Sequence, residues 1–349
     1  SHCLPAAGSA SIIKTALALH HKVLPPMLCD EVDPDLHIEK TPFYINTEAR
    51  PWIHGGPHPR RAGVNAFGFG GINAHIILEE YRPSKAALVR TGAGLMHMPG
   101  HSELVTLAAA SVAELVDLVR QLLEHARGPS HPSLAMLAKA SSRHAIGEHR
   151  LAVVASDAAD LATKLEQALA KLVRADAAAF KIRAGIHYGR GALPGKVCFV
   201  FPGEGAQYGG MLADLCLNFP QIREWFDFID ESSVKRDGLR RSPIVFPAPT
   251  SISTATRERL EGDLFEMDVA AETVFAASIG LYTLLDDLGF KPDAMLGHST
   301  GENTALTASG VRRYDRRDEI ADTVRDLNRI YRELDREGRI VEGSLLTIG

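Results

Sequence analysis

Cysteine is scarce in this chain: its 349 residues include four cysteines, spread along the sequence without any C-x-x-C pair. The sequence therefore predicts neither a zinc site nor a disulfide framework. Runs of about 18 apolar residues, which a transmembrane helix needs, are also missing. An excess of positive charge is missing as well, since the formal net charge is -5, and this argues against nucleic acid as the main partner. We expect a cytoplasmic globular protein that contacts neither nucleic acid nor membrane.

Phosphate-binding signatures are incomplete. The chain has no Gly-Lys-Ser/Thr, and Gly203, Gly205 and Gly209 miss the G-x-G-x-x-G spacing by one residue. The glycine-rich loop over Pro202–Tyr208 follows Val197–Phe201, which reads as a buried strand. Such a loop leaves backbone N–H groups bare, either to hold phosphate or to stabilise the oxyanion of an acyl-transfer reaction. The incomplete signatures favour the oxyanion.

The most informative stretch is Gly297–Gly301, which fits G-x-S-x-G with Ser299 at its centre. In α/β proteins this pattern forms a strand-turn-helix elbow that exposes a nucleophilic serine. The flanks agree, because 294–296 suits a short strand and 302–309 suits a helix whose N-terminus favours developing negative charge. The alternative is a chance match in a chain with 30 glycines. Ser299 is the candidate nucleophile.

Together, Pro202–Tyr208 and Gly297–Glu302 resemble two motifs of the acyltransferase (malonyl transacylase) domain of fatty acid and polyketide synthases. The resemblance implies that Ser299 takes an acyl group from acyl-CoA as an ester. It further implies transfer to the phosphopantetheine thiol of an acyl carrier protein, with no bound cofactor and no metal. The backbone N–H groups of Glu204 and Thr300 would bind the oxyanion. Glu204 stands where the family usually has Gln.

The serine needs a general base, which in this family is a histidine well downstream of the elbow. All 15 histidines lie at or before His298, whose side chain should point away from Ser299 because neighbouring strand residues face opposite sides. Residues 344–349 look like the start of another strand, so we expect the acyltransferase part to be truncated. Gln207, the second Gln of the loop motif, is expected at the substrate site, where it braces the loop rather than reacts.

The resemblance also implies an arginine that holds the free carboxylate of a malonyl group, roughly 25 residues after the nucleophile. Arg325 matches with a one-residue shift, and Arg329 is the alternative. Where the family has a Gln-containing segment, this chain has residues 271–276, including Glu272. Malonyl-CoA is the expected substrate. If Arg325 instead faces solvent, Glu204 and Glu272 would repel a carboxylate, and acetyl or longer acyl groups would load better.

A histidine near the start and a glycine-rich turn stand out in residues 1–82. The histidine is His2, and the apolar run that follows it, up to residue 23, predicts a buried helix. The turn is the G-F-G-G sequence that contains Phe69. With these features, residues 1–82 resemble the C-terminal end of a polyketide synthase ketosynthase, a homodimeric enzyme. The resemblance implies that His2 stabilises the enolate formed by decarboxylation. Phe69 would gate acyl access or pack in the core, and His75 would be structural. We expect the chain to begin inside this domain.

The stretch between these regions reads as a small α/β unit. Strands are predicted over 104–109 and 149–155, the first followed by a helix that a capping box at Ser111 begins and Gly128 ends. Leucines at helical spacing predict a second helix over 161–172. The unit resembles the linker domain between ketosynthase and acyltransferase.

We therefore predict an α/β chain of three parts: the end of a thiolase-like ketosynthase over 1–82, a small α/β linker over 83–194, and a partial α/β-hydrolase-like acyltransferase over 195–349. The predicted function is acyl transfer within a type I polyketide synthase, beside a decarboxylating ketosynthase. Two alternatives stay open, namely a serine hydrolase acting on thioesters and a non-catalytic fragment or scaffold.

Overall fold

The computed structural model describes residues 3–29, 31–82, 102–128, 132–144, 146–174, 179–192, 195–313 and, with gaps, 319–339. The chain divides into two compact units, one formed by Ser1–Met96 with Lys196–Gly349 and the other by His97–Gly195. Three predicted features lie outside the described residues: His2, Arg325, and the strand start over 344–349.

The N-terminal part of the first unit consists of one long helix and two pairs of antiparallel strands. Its elements are α1 (Ala6–His21), β1 (Val23–Leu24), two 3-10 turns (Pro34–Leu36 and Ile38–Lys40), β2 (Arg50–Pro51), β3 (Arg61–Phe67) and β4 (Asn73–Glu79). β1 pairs with β2, and β3 pairs with β4 from Arg61 opposite Glu79 to Phe67 opposite Asn73. The predicted glycine-rich turn leading into a strand is confirmed, with Gly70 and Gly71 both at positive φ.

The predicted N-terminal helix is present as α1, but the expectation that it is buried is wrong. Leu19 is buried, whereas Ile13 is 60% and Leu17 52% exposed. The described contacts of α1 come from one side, where Gly8 lies so close to Ala66 that an added Cβ would come within 3.3 Å of the alanine Cβ. An apolar helix packed on one side leaves its remaining apolar residues in solvent.

The unit His97–Gly195 packs helices against one face of an antiparallel sheet. Its elements are β5 (Glu103–Ala109), α2 (Val112–Arg127), α3 (Leu134–Ser141), a 3-10 turn (Ser142–His144), β6 (His149–Ala155), α4 (Ala158–Leu172), β7 (Phe180–Ile182) and β8 (Ile186–Arg190). The strand order is β5-β6-β8-β7. The largest fully buried side chains are Val105, Leu115, Val119, Leu151, Val153, Leu161, Leu165, Leu172 and Ile186.

The predicted strands and helices of this unit are confirmed, as is the cap at Ser111. The Ser111 hydroxyl accepts the Glu114 N–H at 3.2 Å, and the Glu114 carboxylate accepts the Ala110 N–H at 3.1 Å. Gly128 is the residue at which α2 ends. The structure adds α3 and the β7–β8 hairpin, which the sequence patterns did not predict.

The C-terminal part of the first unit places helices around a short parallel sheet. Its elements are β9 (Cys198–Phe201), α5 (Ala213–Asn218), α6 (Pro220–Asp237), α7 (Ser242–Val245), α8 (Thr254–Asp263), α9 (Met267–Asp287), β10 (Ala294–Gly297) and α10 (Gly301–Ala308). β9 and β10 pair in parallel, with Ala294 opposite Cys198 and Gly297 opposite Phe201. Both predicted strands and the helix after the elbow are therefore confirmed, but the expectation that the first strand is buried is wrong, because Phe201 is buried whereas Val200 is 64% exposed.

Helix α9 is the core helix of this part. It packs against α6, where an added Cβ on Gly280 would lie 3.2 Å from the Ile222 Cα, and Phe275 meets Trp225 edge to face with ring centroids 6.0 Å apart. In length and composition α9 would also suit a membrane span, but 67% of its most apolar window is buried inside the protein. Its apolar character is therefore explained by its place in the core.

Candidate active site

Ser299 lies at the turn between β10 and α10 in a strained backbone conformation. Its φ is +54°, a left-handed value that non-glycine residues seldom adopt and that is often retained at functional sites. The turn is tight because two glycines allow close backbone contact. An added Cβ on Gly297 would lie 2.4 Å from the Glu302 Cα, and one on Gly301 would lie 2.3 Å from the Phe201 carbonyl oxygen.

Backbone hydrogen bonds hold this elbow in place. The His298 N–H donates to the Phe201 carbonyl at 3.0 Å, which continues the β9–β10 pairing. The Gly301 N–H donates to the His298 carbonyl at 2.9 Å, and the Glu302 N–H donates to the Ser299 carbonyl at 3.0 Å. The nucleophile is thus fixed at the carboxyl end of the sheet and at the N-terminus of α10, where the helix dipole favours negative charge.

The glycine-rich loop meets the elbow at Gly203. An added Cβ there would lie 2.8 Å from the Ser299 Cβ and 3.4 Å from the Thr300 nitrogen. The backbone N–H groups of Glu204 and Thr300 donate to no acceptor within the described residues. Two bare donors next to a serine hydroxyl are what an oxyanion hole requires.

Gln207 braces the glycine-rich loop. The side chain is buried, its Oε1 accepts the Gly205 N–H at 2.7 Å, and its Nε2 donates to the Leu264 carbonyl at 3.4 Å. Gly205 has a φ of +96°, which the bond from its N–H helps to hold. Glu204 lies on the outer side of the loop, and partial loss of hydration raises the pKa of its carboxyl group. A contact of Gln207 with substrate stays a prediction.

No general base contacts the serine among the described residues. The Ser299 hydroxyl has no side-chain hydrogen-bond partner there, and both Ser299 and His298 are exposed. The elbow and the loop are therefore in place, while the proton acceptor that a serine nucleophile needs is not supplied by the described part of the chain.

Three family models match the chain in order. Residues 1–29 match the beta-ketoacyl synthase C-terminal domain, 33–154 the ketoacyl-synthetase C-terminal extension, and 198–312 the acyl transferase domain. Among curated relatives, one subunit of the polyunsaturated fatty acid synthase of Thraustochytrium sp. is 31% identical over 88% of this chain. One subunit of the phenolphthiocerol/phthiocerol polyketide synthase of Mycobacterium tuberculosis is 32% identical over 89% of it.

The chain belongs to the type I polyketide synthases. It spans 12% and 20% of the lengths of the two relatives. Among solved structures, the acyl transferase domain of ZmaA is 22% identical with a TM-score of 0.51, covering 65% of this chain and 47% of that one, and this likeness concerns the fold. The predicted α/β fold class and family are thereby confirmed. The predicted domain bounds stay predictions; the match over 33–154 crosses the one at residue 82.

Of the two arginines expected to bind the substrate carboxylate, Arg329 lies within the described residues. Arg325 lies outside the described residues. Arg329 is exposed and contacts Asp326 at 3.8 Å and Glu333 at 3.1 Å, both one turn away in sequence. Its charge is therefore engaged on a solvent-facing surface.

Glu272 is not a free carboxylate. It is 2% exposed and pairs with Arg236 and, at 2.8 Å, with Arg241. The expectation that Glu272 would repel a carboxylated substrate is wrong, because both arginines neutralise it within the core of the first unit.

On the ketosynthase side, the catalytic candidate His2 lies outside the described residues. Phe69 is 99% exposed at the β3–β4 turn, so it does not pack in a core in the described structure, and its gating role stays a prediction. The His75 Nδ1 is 2.6 Å from the Asn65 Oδ1 of the paired strand, a contact that supports the structural role expected for this histidine.

Sequence patterns did not predict a buried ionic cluster that joins the ketosynthase-like residues to α6. Arg60 is 4% exposed and contacts Asp227 through two hydrogen bonds, of 2.6 and 2.8 Å. It also contacts Glu80 at 3.1 Å, which in turn contacts Lys22 at 2.7 Å. The polar residues at these positions read as ordinary surface charges in the sequence, so no local signal marks them.

Proposed function

We propose that the acyltransferase part carries out acyl transfer through Ser299. The Ser299 hydroxyl attacks the carbonyl carbon of an acyl-CoA thioester, the C–S bond breaks, and coenzyme A leaves as the thiol with the serine proton. The phosphopantetheine thiol of a carrier protein then attacks the carbonyl carbon of the serine ester, the C–O bond to serine breaks, and the proton of that thiol passes to the serine oxygen. The observation that carries this proposal is the left-handed elbow of Ser299 beside the two bare N–H donors of Glu204 and Thr300.

Each step passes through a tetrahedral oxyanion. The two N–H donors and the N-terminus of α10 stabilise this charge more than they stabilise the neutral carbonyl, which is how preorganised dipoles lower a barrier. The proton is carried by a base that the described residues do not contain. In the family that the chain resembles, this base is a downstream histidine.

The ketosynthase part is proposed to act separately. His2 would hydrogen-bond the malonyl thioester carbonyl and stabilise the enolate that decarboxylation leaves, so that the enolate attacks an acyl-cysteine. The proposed setting is a cytoplasmic, homodimeric synthase that acts with an acyl carrier protein. His2→Ala in the intact synthase should block condensation while acyl loading on Ser299 continues.

The test of acyl transfer is Ser299→Ala in the intact synthase, incubated with radiolabelled malonyl-CoA and carrier protein. We expect covalent label on the acyltransferase part to fall to background. Ser309→Ala is the matched control, because Ser309 is exposed at the end of α10, where its hydroxyl caps the Leu306 carbonyl. Label that persists in Ser299→Ala would exclude this nucleophile. Thioester hydrolysis without transfer would point to a hydrolase, and no loading in the unmodified synthase would point to a scaffold.

A further inference from the structure

A cavity of about 590 Å³ lies at one end of the unit His97–Gly195. It is bounded by the N-terminal half of α2, by the residues that end α4, and by the strand ends where β6 begins and β8 finishes. The lining residues of α2 recur at helical spacing, so one face of that helix forms a wall; they are Val112, Ala113, Val116, Asp117 and Arg120. The volume is in the range of small-molecule sites, about 300–1,000 Å³, and the proposed acyl transfer and condensation do not use it.

Three arginines line this cavity: Arg120 on α2, Arg174 just after α4, and Arg190 at the end of β8. The Arg174 side chain has no partner among the residues that the structure describes. Arg120 contacts Asp117 at 3.3 Å and Arg190 contacts Glu148 at 2.8 Å, in pairs whose members are all more than half exposed. Such exposed pairs contribute little and leave several guanidinium N–H donors unused. Three arginines against two carboxylates give the cavity an excess of positive charge.

A buried histidine adds a neutral donor to the same cavity. His149 is 8% exposed, lines the cavity and stands opposite Arg190 in the β6–β8 pairing, so both side chains lie on one face of the sheet. Its Nδ1 is 2.8 Å from the Tyr188 hydroxyl, and its Nε2 has no partner within the described part of the chain. A neutral imidazole that accepts the Tyr188 proton at Nδ1 carries its own proton on Nε2, where it can donate to a ligand oxygen.

The N-terminus of α2 also opens on this cavity. The backbone N–H groups of Val112 and Ala113 donate to no acceptor among the described residues, and the dipole of this 16-residue helix favours an anion at that end. Apolar side chains, including Val116 and Leu172, form other parts of the wall. The cavity therefore joins a cationic, donor-rich part to an apolar part that suits an organic group.

We propose that this cavity binds the phosphate group of a small phosphorylated molecule. Arg120, Arg174 and Arg190 supply the charge, and guanidinium groups bind phosphate oxygens through paired hydrogen bonds. A phosphate monoester offers three terminal oxygens to donors that come from two helices and a strand end, whereas a carboxylate offers two. Coenzyme A carries such a group as its 3′-phosphate, and free phosphate shares this chemistry. The proposal does not depend on acyl transfer at Ser299.

The test is hydrogen–deuterium exchange of the intact synthase, titrated with inorganic phosphate and compared with chloride at equal ionic strength. Phosphate should slow exchange in peptides over 112–120 and 171–174. In Arg174→Leu the phosphate concentration for half-maximal protection should rise at least about 10-fold, because charge-assisted hydrogen bonds are lost, and Arg174→Lys should recover part of it. Arg150→Leu is the matched control, because Arg150 follows His149 but is exposed on the other face of the sheet. It should leave the titration unchanged.

Coenzyme A and 3′-dephospho-coenzyme A separate the two sources, read only on peptides of 97–195 so that binding at Ser299 does not interfere. Protection by coenzyme A but not by the dephospho form supports the proposal and assigns the 3′-phosphate. Protection by inorganic phosphate alone supports it and assigns another phosphorylated molecule. No protection beyond that of chloride would overturn the proposal, as would equal titrations of Arg174→Leu and Arg150→Leu. Equal protection by both coenzyme forms, without protection by phosphate, would also overturn it, because the phosphate monoester would then not be the bound group.

Discussion

Different kinds of internal contact stabilise the unit His97–Gly195 and the unit that carries Ser299. In the former, the buried core consists of apolar side chains from neighbouring segments, and ion pairs such as Arg127–Glu166 lie at the surface with both partners about half exposed. In the latter, charged side chains are buried: Arg60 meets Asp227, 167 residues further along the chain. The unit formed by one continuous segment is stabilised by an apolar core. The unit formed by two separate segments also depends on specific ion pairs between residues far apart in the sequence.

The ionic cluster is sensitive to the loss of any member because its charges are buried. Burial by itself raises the pKa of the Glu80 carboxyl, but the hydrogen bond from Lys22 and the charge and hydrogen bonds of Arg60 outweigh it and lower the pKa to about 2. Burial lowers the pKa of Lys22, although Glu80 acts in the opposite direction. Removing one partner of a buried ion pair leaves the other charge buried without a partner and without hydration. The free energy of unfolding therefore falls by more than an exposed ion pair contributes.

The largest effect is expected for Asp227→Ala. It removes the carboxylate that accepts two hydrogen bonds from the Arg60 guanidinium and one from the His54 N–H. Arg60 keeps its contact with Glu80, and the free energy of unfolding of this unit should fall by about 4 kcal/mol. Urea unfolding followed by tryptophan fluorescence measures it. Glu231→Ala, on the same helix but in an exposed pair with Lys235, is the control and should cost less than about 0.5 kcal/mol. Equal effects of the two variants would contradict the contrast between the units.

The apolar unit should respond instead to a change in its core. Leu165 is fully buried between sheet and helices, so Leu165→Ala should lower the free energy of unfolding by about 3 kcal/mol through lost burial and a cavity. Proteolysis with and without urea, read on fragments of 97–195, measures it. The control is Arg127→Ala, which removes an exposed pair and should cost less than about 0.5 kcal/mol. A large loss in Arg127→Ala would show that surface charge also holds this unit.

Lowering the pH should reduce the free energy of unfolding of the unit that carries Ser299 more than that of the unit His97–Gly195, and this effect is the smallest of the three. The folded-state pKa of Glu80 is depressed from 4.5 to about 2, so its contribution is present above the unfolded value and is lost as pH falls through this window. The loss is on the order of 2 to 3 kcal/mol. Unfolding titrations at descending pH should show the unit with Ser299 weakening first, and Glu80→Gln should remove the extra acid sensitivity. The same pH dependence in Glu80→Gln would assign it to another carboxylate.

Local sequence patterns predicted the turns and helices that are specified by residues close together in the chain. The elbow at Ser299, the capped helix α2 and the leucine-rich α4 were all predictable, because a tight turn, a cap and a helical face each depend on neighbouring residues. Helix α3 was not, since it spans eight residues without a long apolar period. The β7–β8 hairpin was missed because its strands are short and carry several basic residues.

The sequence by itself determined the polyketide synthase motifs, the glycines that permit the elbow, and Ser299 as the candidate nucleophile, because these depend on residue type and close spacing. The tertiary structure decided which charges are free and which are neutralised. Glu272 is buried and paired with Arg241 within the core, whereas Glu204 is exposed on the glycine-rich loop. The physical reason is that an ion pair is set by the distance between two groups in space, and residues that are far apart in sequence carry no local sign of it.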